Sequence, residues 1–155
     1  MPAPRLDEID RAILRALARD AAMTNRALAD LVHLSPSSCL ARVRRLERDG
    51  VIRGIRADID PTAIGRGIEA LIAIRLRLHS TRAVDALSEH LHTIPDVVAY
   101  YHVTGADDFL VHVAVADTDA LRTLVLEAFT SRPEVARTTT SLVFHHEVVH
   151  GIVPT

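Results

Sequence analysis

Residues 24–50, TNRALADLVHLSPSSCLARVRRLERDG, constrain the fold of this chain more than any other stretch. They spell two short helices separated by almost nothing. Ser35 is an N-cap, and Pro36 falls at the first helical position, where a missing N–H costs nothing. Gly50 stands just past the end, where a left-handed residue is wanted. Thr24 caps the preceding helix, whose apolar positions are Ala27, Leu28, Leu31 and Val32, and only His33 and Leu34 lie before the Ser35 cap. Two capped helices so closely joined form a helix-turn-helix pattern. In the second helix, Leu40, Val43, Leu46 and Glu47 share one side, bordered by Cys39. Ser38, Ala41, Arg42, Arg45 and Arg48 share the other. Small residues at the start and a guanidinium row suit the major groove of DNA, since arginine bonds phosphates or the O6/N7 edge of guanine. On an isolated helix the same row would read as a solvated charged face; the capped helix before it favours DNA. Arg42 and Arg45 are expected to make base or phosphate contacts. Ser37 and Ser38 are expected nearest the groove floor, and Thr24, Asn25, Ser35 and Arg48 complete the contact set.

Charge supports a divided chain. The net charge of −2 hides eleven Arg against eight acids in residues 1–58, and seven Arg against twelve acids in residues 59–155. Only the front half has the sign to meet a polyanion. At 155 residues, 48% apolar and 25% charged, the chain has the balance of one domain or two small ones with a real core. No apolar run approaches the roughly 18 residues of a membrane span, and no apolar signal region opens the sequence, so a cytoplasmic protein is expected. One cysteine excludes an internal disulfide and paired-cysteine metal sites. Cys39 reads as core.

Ahead of the two helices, Asp7 begins a first helix with Ile9, Ile13, Leu14 and Leu17 inward and Asp7, Glu8 and Asp10 at its dipole-positive start. After Gly50, VIRGIRADID reads as a short β-ribbon or wing. Its Arg53 faces either a phosphate or water. We place a DNA-binding domain at 1–58, a linker at 59–67 around Gly65 and Gly67, and a second domain at 68–155.

The second domain has strand periodicity. Ile68, Ala70, Ile72, Ile74, Leu76 and Leu78 occupy alternate positions of one strand. Ser80 or Thr81 caps a helix with Val84, Leu87 and Leu91 inward. Strands at 97–104 and 109–116 follow, turned by Gly105-Ala106-Asp107-Asp108. Thr118 opens a helix, and a last strand runs from about 135 to 149. The order β-α-β-β-α-β is the split ferredoxin-like arrangement, making the chain α+β. Two helices cover one sheet face; apolar residues on both faces of the middle strands, among them Val98, Leu110, Val111 and Val113, predict sheet-to-sheet dimerisation.

The histidines do not make a metal site in this reading. His145 and His146 alternate on the last strand, His146 and His150 lie roughly 13 Å apart along it, and His102 and His112 lack a third ligand. No nucleophile–base pairing or phosphate-cradling loop stands out, so no enzyme and no cofactor are expected.

Taken together, the chain resembles the Lrp/AsnC (feast/famine) family of bacterial transcription regulators. The resemblance rests on Leu28-Ala29, Leu34-Ser35, Arg42-Val43-Arg44-Arg45-Leu46-Glu47 and Gly50-Val51-Ile52. Further along it rests on Thr104-Gly105 with Asp108-Phe109, and on Pro133-x-Val135 with Thr138 and Thr140. It implies a winged-helix-like DNA-binding domain and a ferredoxin-like RAM/ACT-type domain that dimerises and binds an effector, commonly a free amino acid. Assembly into tetramers or octamers and a pseudo-palindromic duplex operator are implied as well. Carried over, the effector-binding positions are Thr104, Gly105, Ala106, Asp107, Asp108, Thr138 and Thr140. Amides beside Gly105 would meet a carboxylate and Asp107 or Asp108 an ammonium, while Asp108 reads equally as a turn-capping carboxylate. The chain departs from the family pattern at His33, where the turn usually carries glycine, and at Ala106 and Asp107. The competing readings are an oligomeric small-molecule-binding protein and a regulatory subunit without operator specificity.

Overall fold

The computed structural model describes residues 5–147, which divide into two compact units: 5–58, with Glu147, and 59–146.

The first unit is three helices, α1 (Glu8–Arg19), α2 (Asn25–Leu31) and α3 (Pro36–Arg48). Each begins on a side-chain cap. Asp7 and Asp10 form a reciprocal capping box on α1, Thr24 accepts from the Ala27 amide, and Ser35 accepts from the Ser38 amide. These caps satisfy amides that have no partner within the helix. The α2–α3 turn passes through His33 at φ +55°, the left-handed region. Gly50, at φ +70°, ends α3, and the amides of Val51 and Ile52 both donate to the Leu46 carbonyl. The core is Ile13, Ala16, Leu28, Ala29, Val32, Cys39 and Leu46.

Three expectations change here. The inner side of α2 is Leu28, Ala29 and Val32, and Leu31 is exposed. The inner side of α3 is Cys39, Arg42, Val43 and Leu46, spaced i, i+3, i+4, i+7, and Leu40 turns outward. The segment 51–59 forms no strand and so is not a ribbon, because no described segment pairs with it.

The second unit opens on a 3-10 turn, Thr62–Ile64, capped by Asp60 and closed by Gly65 at φ +78°. Arg66 fastens this stretch by donating to the Pro95 carbonyl at 2.9 Å and pairing with Asp96 at 3.0 Å. Then come β1 (Ile68–Leu76), α4 (Thr81–Leu91), β2 (Val97–His102), β3 (Phe109–Val115), α5 (Thr118–Leu124) and β4 (Val135–Val143). The fully antiparallel sheet has order β2-β3-β1-β4, the ferredoxin-like connectivity. Alternation places Ala70, Ile72 and Ile74 of β1 and Phe109, Val111 and Val113 of β3 against the helices, where they meet Leu87, Leu91 and Phe129. The opposite face carries Glu69, Leu71, Ala73, Leu110, His112 and Ala114, since these share register positions. Helix α5 runs into a π-helical turn, Val125–Thr130, that seats Phe129 in the core. Wider winding frees carbonyls from the usual ladder, and side chains take two: His90 Nε2 lies 2.9 Å from the Ala128 carbonyl, and Ser131 Oγ donates to Glu127. The last strand ends at Val143 rather than near 149, and residues 148 and 149 lie outside the described ones. Among the described residues no helix is long and apolar enough to cross a membrane.

Candidate nucleic-acid interface and effector loop

The first unit is organised by a buried carboxylate. Asp10, on the inward side of α1, is fully buried. Arg42 Nη1 donates to Asp10 Oδ1 at 2.9 Å and to Asp7 Oδ2 at 2.6 Å, and Arg45 Nη2 donates to Asp10 Oδ2 at 2.5 Å. A buried carboxylate requires such partners, because burying an unpaired charge is expensive. The Asp10 amide and the Arg42 guanidinium hold the Asp7 carboxyl below the usual carboxylate range, and Asp7 in turn raises Arg42. Arg42 and Arg45 therefore clamp α3 to α1. This corrects the expected phase of α3: the electrostatic demand of Asp10 rotates Arg42 to the inner side, and Arg45 to its border, with its Nε buried and unpaired.

The outer face of α3 is consequently Ser37, Ala41, Arg44 and Arg48, all exposed and spaced i, i+4, i+7, i+11. Neither Arg44 nor Arg48 has an ion-pair partner among the described residues. Arg44 is absent from the sequence-derived set, although it is one step from Arg45; only the carboxylate on α1 distinguishes them. At the head of the helix, Ser35, Ser37 and Ser38 form a hydroxyl cluster with Oγ separations of 3.1 and 2.8 Å from Ser35. Asn25 Nδ2 donates to the Pro36 carbonyl at 2.8 Å, so this side chain ties the start of α2 to the start of α3. Thr24 caps α2 as described. Cys39 is buried and its thiol pushed up by that burial, which suits core packing and not redox chemistry.

In the second unit, the loop between β2 and β3 holds Thr104, Gly105, Ala106, Asp107 and Asp108. Gly105 sits at φ +128°, with no atom where a Cβ would stand, so backbone conformation and not space demands glycine. Asp108 is buried. Its Oδ2 accepts from the Leu76 amide at 2.7 Å, and its Oδ1 lies 3.0 Å from His79 Nδ1. These contacts tie the loop to the end of β1 and the residues after it, a link that neither the effector reading nor the turn-capping reading of Asp108 includes. Two residues that the sequence did not single out reach the same loop: Arg75 donates to the Ala106 carbonyl, and Arg137 lies 3.5 Å from Asp107. Thr138 and Thr140 lie on the other face of β4, paired with Ile74 and Ile72, and Thr138 faces Thr130 at 3.5 Å. Their side chains point away from the face that carries Arg137.

The sequence reading also missed a cluster on the sheet face opposite the helices, where Glu69, His112 and His146 converge. Glu69 stands on the polar alternation of β1, and an extended strand to 149 would have carried His146 away.

A capped helix-turn-helix with an arginine-bearing outer face, followed by an antiparallel α/β unit, defines a DNA-binding protein with a separate sensory or assembly unit. Comparison with known proteins agrees. Residues 6–53 match a family described as winged helix-turn-helix DNA-binding, and residues 69–152 match the Lrp/AsnC ligand binding domain. The HTH-type transcriptional regulator AldR of Mycolicibacterium smegmatis is 46% identical over 141 residues, covering 91% of this chain and 82% of that protein. AldR of Mycobacterium tuberculosis is 45% identical over 149 residues, covering 96% and 82%. Among solved structures, a transcriptional regulator from Neisseria meningitidis in complex with L-Met superposes with a TM-score of 0.85 at 29% identity, covering 97% of each chain. The chain belongs to the Lrp/AsnC family and is a DNA-binding transcriptional regulator of that type.

Proposed function

We propose that this regulator reads a pseudo-palindromic duplex site with the outer face of α3, and that an amino acid bound at the β2–β3 loop modulates its assembly or DNA binding. Arg44 and Arg48 approach the duplex, Ser37 and Ala41 allow close approach, and Ser35 and Ser38 lie nearest the backbone that flanks the helix start. Arg42 and Arg45 hold α3 against α1, with the exposed part of Arg45 available at the margin. The observation that carries this reading is the division of the α3 arginines into an Asp10-bound pair and an outward pair. Thr24 and Asn25 contribute by fixing α2. Arg53, exposed beyond α3, adds a phosphate contact.

The sheet face bearing Leu71, Tyr101 and Leu110 supports pairing of two copies, since Leu71 is 41% and Tyr101 60% exposed. Pairing sets two α3 helices about one duplex turn, roughly 34 Å, or a multiple of it apart. Tetramers or octamers extend the same scheme. For the effector, the loop offers amides around Gly105, the Asp107 carboxylate and the Arg137 guanidinium. A loop carboxylate beside a β4 guanidinium suits a zwitterion, in keeping with the L-Met held by the Neisseria meningitidis relative. Thr138 and Thr140 enter this site only from a neighbouring copy. The protein needs no cofactor for this role and acts in the cytoplasm.

Selection of genomic fragments by the purified protein, with and without amino acid pools, tests the proposal. It should enrich sites with twofold-related halves, and at least one amino acid should change their occupancy. Sequence-independent retention of all fragments would instead favour the reading without operator specificity.

A further inference from the structure

We propose that Glu69, His112 and His146 form a binding site for a divalent transition-metal ion of the zinc type, on the sheet face opposite the helices. The cluster is built by topology. In the β1–β3 ladder Leu71 pairs with His112, so Glu69, two residues earlier on β1, is its diagonal neighbour on the same face. Val143 pairs with Glu69 at the end of β4, and the chain leaves the strand there, which lets His146 turn back over the sheet. Three elements distant in sequence thus deliver three donors to one point.

Their atoms fit an ion. His112 Nε2 lies 2.7 Å and His146 Nδ1 4.0 Å from the same carboxylate oxygen, Glu69 Oε2, and all three donors fall within 4.8 Å of one another. The two rings meet edge to face with centroids 5.2 Å apart, so neither blocks the other's approach. Metal–nitrogen and metal–oxygen bonds of about 2.0–2.2 Å place tetrahedral ligands roughly 3.3–3.5 Å apart, between the observed separations. A small rotation of His146, whose side chain is 51% exposed, closes the longer gap, while His112 and Glu69, at 11% and 22%, stay fixed. Two imidazoles and one carboxylate select borderline ions over magnesium or calcium. In the ion's absence the short His112–Glu69 hydrogen bond shares the space the ion would take. The fourth position is left to water or an outside ligand. Binding would fasten the segment after β4 to β1 and β3, on the face through which we propose that copies pair, so stoichiometry is read per chain.

Calorimetric titration of the untagged, chelator-treated full-length protein with Zn²⁺, backed by Co²⁺ absorption spectra, tests the site. One ion per chain should bind, with the visible bands of four-coordinate Co²⁺. His146→Ala, at an exposed position that should leave the fold intact, should weaken binding at least tenfold, as should Glu69→Gln. His92→Gln, which removes a histidine remote from the cluster, should change nothing. Absence of saturable binding, affinities in His146→Ala and Glu69→Gln within twofold of the parent protein, or an equal loss in His92→Gln would each overturn the assignment.

Discussion

Replacing Asp10 by alanine should loosen the first unit while sparing the second. The Asp10 side chain is 1% exposed and carries the bonds from Arg42 and Arg45, whose side chains are 29% and 40% exposed. Breaking a fully buried ion pair costs about 3–5 kcal/mol, much of it the penalty on the charge left behind. Here the two guanidinium groups can rehydrate once released, which places Asp10→Ala near the lower end, at about 3 kcal/mol. A unit of roughly sixty residues holds about 3–9 kcal/mol in total, so the loss is a large share of its stability. Native-state hydrogen exchange on the full chain reads this directly. Amides of α1 and α3 should lose about a hundredfold in protection, since about 1.4 kcal/mol is tenfold. Those of β1 and β3 keep theirs and serve as the internal reference. Asp10→Asn retains an acceptor oxygen and should lose roughly half as much free energy, about 1.5 kcal/mol. A drop in α1 and α3 of less than threefold, or an equal drop in the strands, would refute the clamp.

Two further outcomes follow from named contacts. Asp108→Ala strands the Leu76 amide and should destabilise the second unit by about 1.5–3 kcal/mol, with Asp108→Asn milder; urea unfolding showing no change in either would rule out the fold-bound role. Because its partners hold the Asp7 pKa below the unfolded value, Asp7 adds stability that is present above about pH 4 and fades as pH falls through the folded pKa. The melting-temperature gap between the parent protein and Asp7→Asn should therefore be visible at pH 7 and shrink near pH 3; a gap that widens on acidification would contradict the sign.

Much of this architecture can be read without coordinates because its signals are local. Ser35-Pro36 and Gly50 mark α3 by cap chemistry that depends on a few neighbouring residues, whereas the turn at His33 is marked only through the family resemblance, in which glycine usually stands there. Period-2 alternation over 68–78 identifies β1 and its core face, although the strand stops at Leu76 and Leu78 is exposed. What escaped the sequence is long-range. Hydrophobic counting assigns arginines outward and leucines inward, so it rotates α3 by about one position. It cannot register that a carboxylate on α1, far earlier in the chain, draws Arg42 in and leaves Leu40 out. The end of β4 is equally hidden, since residues 144–147 keep strand propensity, yet the ladder with β1 ends where Val143 pairs with Glu69. For the same reason the convergence of His146 with Glu69 and His112 is legible only in three dimensions. Asp108 was ambiguous because a turn carboxylate and a ligand carboxylate share one sequence signature, and its bond from the Leu76 amide, 32 residues away, is marked by neither.

The salt dependence of binding to a selected operator, measured for Arg44→Ala/Arg48→Ala beside the parent protein, tests the assignment of the α3 outer face most directly. Both residues are exposed and neither has an ion-pair partner among the described residues, so the variant should fold normally. Its affinity should fall by about 1–3 kcal/mol for each arginine that bonds a base edge, and the slope of log K against log salt should flatten by about 0.9 for each arginine that neutralises a phosphate. An unchanged affinity with an unchanged slope would contradict the account, because the duplex would then be meeting some other surface of this chain.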